Sequence, residues 1–329
     1  MVLTNAAWFL AGLAALVVGA EVMVRGGAKV ASRFGISPIV VGLTVVSIGT
    51  SAPELAVGVV AAVEDNGALA VGNIAGTNVV NLLLVLGLSA LLAPLALQMR
   101  TLRFELPVMA GAAILLWLLA FDGVLSRPDG LVLTVGAVVY TVAVVRATRR
   151  DSRDATAEFT DAYPKSEASG GTAVHVVMML SGIAIIVVGA ERLVDAAVGM
   201  AREFGVSDAL IGLTVVAIGT SAPELATTVV STVRGERDIA VGNLLGSSIY
   251  NILLILGVTC LVPAHGLALP PELVRIDIPI MVAVAVACIP IFISGRRVSR
   301  VEGGVMVATY LAYLAFSLAG AGAQLATQM

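Results

Sequence analysis

Two glutamates set the chemistry open to this chain. Glu54 and Glu224 each close the sequence Gly-Thr-Ser-Ala-Pro-Glu, at 49–54 and 219–224, in the middle of long apolar runs. A carboxylate at bilayer depth costs several kcal/mol unless it is paired. No Lys or Arg lies mid-span to neutralise either one, so the natural partner is a cation or a proton. Thr50, Ser51, Thr220 and Ser221 place hydroxyls beside them. Gly49 with Pro53, and Gly219 with Pro223, interrupt the helical runs: proline lacks an amide donor and pushes against the carbonyl one turn back. Carbonyls from Ser47 to Thr50 and from Ala217 to Thr220 are therefore expected to leave the helix ladder. Broken backbone at this depth is tolerated only where it lines a cavity or is buried in protein. Calcium takes about 6–8 oxygen ligands, and two carboxylates balance one divalent or two monovalent cations. His175 and His265 fall near span ends, and Cys260 and Cys288 lack ligand spacing, so zinc and copper are disfavoured.

A second polar wall follows each glutamate. Thr77 and Asn81 in 72–87 correspond to Ser247 and Asn251 in 242–257. Four residues apart, each pair projects from one helix face. Neutral amides beside carboxylates favour a ligand or water-positioning role for Asn81 and Asn251. Gly72, Gly76, Gly242 and Gly246 read as close-packing positions, and Asn73, Asn78 and Asn243 stay open between packing and function. The competing reading of the whole pocket is a pair of protonated glutamates in a packed bundle, which leaves the duplication unexplained. Glu21 and Glu191 also recur, but near span ends, where a solvated or interfacial carboxylate is the simpler reading.

The elements that must hold these groups are membrane helices. Of 329 residues, 59% are hydrophobic and only 12% charged, with mean hydropathy +1.02. A soluble domain carries about 25% charged residues, so a soluble enzyme and a nucleic-acid binder with a basic face are excluded. No nucleophile–base pair supports an enzyme of any other kind. Ten apolar segments are long enough to span, at 4–24, 38–63, 69–93, 104–121, 129–146, 174–194, 208–233, 238–262, 273–293 and 303–323. The first lacks a basic leader region and a small-residue cleavage site, so it is read as a span. Fifteen of the 19 Lys and Arg residues fall in alternate connections, which places both termini outside.

Residues 42–54 (GLTVVSIGTSAPE) and 212–224 (GLTVVAIGTSAPE) differ at one position, at an offset of 170. The same offset aligns 72–87 with 242–257 and Gly19-Ala20-Glu21 with Gly189-Ala190-Glu191. With five spans per half, the second copy enters the membrane upside down, the plan of many secondary transporters with a midplane site. The expected fold is an all-α membrane protein of ten transmembrane helices in two inverted five-helix repeats, with helices 2 and 7 broken at the midplane. Residues 1–146 form the first repeat and 174–329 the second; 147–173, polar and rich in Ser and Gly, form a cytoplasmic linker.

The duplicated motif, followed by G-N-x-x-G-[ST] at 72–77 and 242–247, resembles the cation/calcium exchanger superfamily, specifically its sodium/calcium exchanger branch with prokaryotic members. The resemblance covers essentially the whole chain. It implies electrogenic exchange of about three Na⁺ for one Ca²⁺ across the plasma membrane by alternating access, spans one and six sliding against a rigid core of the others. By position, Glu54, Glu224 and the Thr50 and Thr220 carbonyls would hold Ca²⁺. The sodium sites would add Ser51, Ser221, Thr77, Ser247 and the Ser47 and Ala217 carbonyls, with Asn81 and Asn251 flanking. Several relatives carry aspartate at one of those two asparagine positions, whereas both are neutral here. The transported ions are the only small-molecule partners implied, besides the lipid bilayer; no cofactor, nucleic acid or obligate protein partner is expected. The alternative is a Ca²⁺/H⁺ exchanger; a passive cation channel and a non-transporting sensor are the more distant readings.

Overall fold

The computed structural model describes residues 2–34, 36–96, 101–154, 171–204, 217–293 and 295–328. The apolar runs form helices because hydrocarbon offers no partner to a backbone N–H outside its own segment. In chain order they are α1 (Val2–Phe34), α2 (Pro38–Thr50), α3 (Ala52–Val63), α4 (Gly67–Leu92), α5 (Arg103–Asp122), α6 (Arg127–Asp154), α7 (Thr172–Glu203), α8 (Ala217–Thr220), α9 (Ala222–Val233), α10 (Arg237–Leu261), α11 (Leu273–Ile293) and α12 (Arg300–Gln328). Among the described residues, seven are long and apolar enough to cross a membrane, and the bent pair α2–α3 makes an eighth. Of the ten expected spans, the seventh (208–233) begins outside the described residues. The tenth lies within α12, which is not among the seven.

Several boundaries run past the expected ones. Helix α1 continues to Phe34, so Arg25, Lys29 and Arg33 ride on its last turns instead of a loop. Helix α6 runs on to Asp154, so the start of the expected linker is helical. Large apolar side chains of α6 point outward, among them Leu131, Val135, Val138, Val139 and Val142; lipid is the solvent for such a face. The chain is a multi-pass membrane protein.

Equivalent positions of the two halves exchange partners. The two-residue strand β1 (Leu95–Ala96) pairs with β4 (Arg297–Val298), and β2 (Val124–Leu125) pairs with β3 (Leu267–Ala268). Arg127 donates to the carbonyls of Val262 and Pro263, and Arg300 to that of Leu92. Ser126 with Asp129, and Ser299 with Glu302, form matching caps at the starts of α6 and α12. A Cβ on Gly87 would meet the Gly303 carbonyl at 2.9 Å, while one on Gly130 would meet that of Gly257 at 2.7 Å.

Packing divides the helices into two groups. One apolar cluster gathers residues of α2–α6 and α10–α12. A separate one gathers α1 and α7 with Val41, Val46, Ala222 and Ile239. Helices α1 and α7 run against each other along a glycine seam: Gly12 faces Gly189, Gly19 faces Gly182, and Gly26 lies against Met179. A Cβ on Gly12 or Gly19 would come within 2.8 or 2.9 Å of the opposite backbone, so only glycine permits this approach.

Candidate cation site

Glu54 and Glu224 occupy equivalent places, each in the first turn of a helix that restarts after a break. Ser51 and Ser221 interrupt the helix at nearly the same angles, φ −82°, ψ 10° and φ −84°, ψ 4°. Pro53 and Pro223 then stand in the first turns of α3 and α9, where a missing N–H costs nothing. Helices α2 and α3 meet at 42°. Each glutamate therefore stands near the N-terminal end of its own helix. The Ser47 carbonyl is engaged, unlike the sequence expectation of a freed ladder: it accepts from Ser51 N–H at 3.1 Å and Thr50 Oγ1 at 3.3 Å. Pro53 has no N–H to offer the carbonyl of Gly49, so the break is confined to that turn.

The break is pressed against α10. A Cβ on Gly42 would meet the Ile239 carbonyl at 2.8 Å, and one on Gly246 would meet that of Leu43 at 2.7 Å. These glycines are close-packing positions, as expected for Gly242 and Gly246. This contact lets side chains from opposite halves meet. Thr50 Oγ1 donates to Asn243 Oδ1 at 3.2 Å and lies 3.5 Å from Ser247 Oγ. Ser51 and Ser247 both donate to Glu224 Oε1 at 3.4 Å. Ser47 Oγ donates to the carbonyls of Gly42 and Asn243, at 2.6 and 3.1 Å. Asn243 completes the set by donating from Nδ2 to Thr228 Oγ1 at 3.3 Å.

Other polar groups of the site have no hydrogen-bond partner among the described residues. Both carboxylate oxygens of Glu54 are buried and unpartnered, as are Glu224 Oε2, Thr77 Oγ1, Ser221 Oγ and the amides of Asn81 and Asn251. Glu54, Glu224, Asn81 and Asn251 are fully buried, Ser221 and Thr77 within 2% of it, and Thr220 is 9% exposed. The main chain of Ala217 opens α8. Asn81 and Asn251 sit in wide, π-helical turns at Val80–Val85 and Asn251–Leu256. An extra residue in a turn rotates the rest of the helix about its axis, and such turns gather at functional sites.

Four residues were open or unnoticed at the level of sequence, and Asn73 stays open, its buried Nδ2 having no partner among the described residues. Asn243 proves to be a bridge between the halves, and Asn78 a helix-internal bond, its Nδ2 donating to Ile74 O at 2.9 Å. Thr228 went unmarked, although its place four residues after Glu224 puts both on one face. Glu21 is interfacial as expected, pairing with Arg25 and with Arg234 at the end of α9, and Glu191 is exposed. Trp8 and Trp117 are on the outside, and Arg192 lies 5.9 Å over the Trp8 ring.

Known proteins resemble this chain over most of its length. The family described as sodium/calcium exchanger protein matches residues 4–146 and 174–319. The inner membrane protein YrbG of Escherichia coli is 39% identical over 259 residues, covering 78% of this chain and 79% of that protein. The sodium/calcium exchanger MaX1 of Methanosarcina acetivorans is 29% identical over 350 residues, covering 95% of this chain and 98% of that one. Among solved structures, the sodium-calcium exchanger NCX_Mj soaked with Na⁺ and Ca²⁺ superposes with a TM-score of 0.82. It is 28% identical and the match covers 96% of this chain and 99% of that one. The chain belongs to the sodium/calcium exchanger family.

Proposed function

We propose that this protein is an electrogenic antiporter that exchanges Na⁺ for Ca²⁺ at the site between Glu54 and Glu224. The observation that carries the reading is the set of buried oxygens without partners among the described residues: two from Glu54, one from Glu224, and one each from Asn81, Asn251, Thr77 and Ser221. Two negative charges and neutral oxygens around them suit a hard cation, and calcium takes about 6–8 such ligands. Na⁺ draws on the same groups together with Thr50, Thr220, Ser51, Ser247 and the Ala217 carbonyl, and on the Ser47 carbonyl once Thr50 Oγ1 turns from it to the ion. The two ions then exclude each other, and exchange follows from competition: an empty, doubly negative site is costly to carry through apolar surroundings. About three Na⁺ per Ca²⁺ would leave net charge moved in each cycle, so flux would respond to membrane voltage.

The wider architecture belongs to the same reading: ten spans in two inverted repeats, 1–146 and 174–329, joined by a cytoplasmic linker at 147–173, with both termini outside the plasma membrane. The exchanged partners of the strands, arginines and glycines support it, because a two-fold relation between halves produces such reciprocity. Alternating access is supported by an asymmetry. Ala222, Ala226 and Val230 on α9 pack with the α1–α7 pair, whereas their equivalents Ala52, Ala56 and Val60 on α3 are exposed. One side of the site is covered and the other is not.

The test is uptake of radioactive Ca²⁺ by proteoliposomes loaded with Na⁺ and diluted into Na⁺-free buffer. Uptake should require internal Na⁺, and Glu54→Gln and Glu224→Gln should each abolish it. Uptake driven equally well by a proton gradient, with no response to Na⁺, would overturn the choice of counter-ion. Wild-type rates in either variant would overturn the site.

A further inference from the structure

Hydroxyls on these helices fall into two groups. Thr134, Thr141, Thr232 and Thr259 each turn back and donate to the carbonyl four residues earlier, at 2.7–2.8 Å. Thr227 and Ser231 do not: both are fully buried on α9 and, among the described residues, neither hydroxyl has a partner. They follow Glu224 by three and seven residues, on the same helix face, with Thr228 beside them. Helix α9 packs against the Leu86–Leu92 segment of α4, where Ser89 is fully buried with an unpartnered Oγ. Ser231 is about 10 Å along the axis from Glu224, on the way to the end of α9.

The other half has no such lining. Val57, Gly58 and Ala61 on α3 stand where α9 has Thr227, Thr228 and Ser231. Gly58 lies against Thr259, whose hydroxyl is already given to Ile255 O at 2.8 Å. The proposed inverted repeat offers one way out from the glutamates along each helix, and of α3 and α9 it is α9 that carries hydroxyls without partners among the described residues. The asymmetry is in the sequence itself, so it persists in every conformation.

We propose that Thr227, Thr228 and Ser231, with Ser89 opposite, form a neutral, oxygen-lined station for a partly hydrated monovalent cation on the α9 route. In the exchange proposed above, on which this inference rests, that cation is Na⁺. Ca²⁺ wants carboxylates and finds none here; a weakly held monovalent ion can replace part of its water with hydroxyls and move on to Glu224.

The experiment measures the Na⁺ concentration giving half-maximal exchange from each face, in right-side-out and inside-out vesicles. The Thr227→Val/Ser231→Ala double variant, which keeps side-chain volume nearly constant, should raise it about tenfold on the α9 face, equivalent to about 1.4 kcal/mol. The opposite face and the equilibrium Ca²⁺ affinity of the purified protein should not change. Installing Val57→Thr and Ala61→Ser should lower the half-maximal concentration on the opposite face. Exchange unshifted in the double variant, or shifted equally on both faces, would sink the station and leave the exchanger intact. Wild-type vesicles without Na⁺-driven Ca²⁺ flux would sink the exchange reading and, with it, the ion named here.

Discussion

Asn243 holds the two halves of the site together with one amide. Its Oδ1 receives Thr50 from the first half and its Nδ2 reaches Thr228, all three fully buried. Asn243→Ala would take from Thr228 its amide donor, at about 1–3 kcal/mol, and leave Thr50 to the Ser47 carbonyl and Ser247 alone. A lower unfolding midpoint and weaker Ca²⁺ binding are expected, and an unchanged midpoint would show that the bridge carries no weight. The glutamates were legible in the sequence because a charge inside an apolar run has few explanations. Asn243 was not, because an amide there serves packing and ligation equally well. Spacing reports which face a residue occupies, never which distant residue meets that face.

At the scale of elements, the break before each glutamate was legible from Gly and Pro, which change the backbone's options directly. The wide turns at Asn81 and Asn251 were not, since no residue type specifies them. The approach of α2 to α10 is the constraint most open to test. Gly42→Ala would drive a Cβ to 2.8 Å from the Ile239 carbonyl, against backbone that cannot swing aside, and should cost about 1–3 kcal/mol. Gly304 in α12 is the control, because its nearest neighbour would be Leu91 Cδ2 at 3.7 Å. Gly304→Ala should be neutral or stabilising by up to about 1 kcal/mol. Thermal unfolding of the purified variants separates the two, and equal midpoints would refute the close crossing.

For the whole molecule, the helical, multi-pass character was legible from the apolar runs, but not the placement of the α1–α7 pair, which the proposed alternating access would require to change. Charge at the span ends biases that choice. Glu21 on α1 pairs with Arg234 at the covered end of α9. The equivalent positions at the other end carry Glu191 and Glu64, two acids whose approach is unfavourable. Glu64→Arg should supply the missing attraction and shift the population toward the opposite closure. A cysteine placed at exposed Ala56 reports this by its labelling rate with an impermeant maleimide, the two native cysteines being buried. Slower labelling in the Glu64→Arg background is expected; an unchanged rate would refute the bias.

The glycine seam between α1 and α7 has a mechanical consequence. Gly12, Gly19 and Gly26 recur every seven residues, as do Gly182 and Gly189, a spacing that keeps one narrow line of each helix on the other. A slip of one turn along that line would bring a larger side chain onto each glycine and jam the backbones. The two helices are therefore geared to each other: neither can advance alone, and any stroke past the remaining helices must be made by the pair as a single rod.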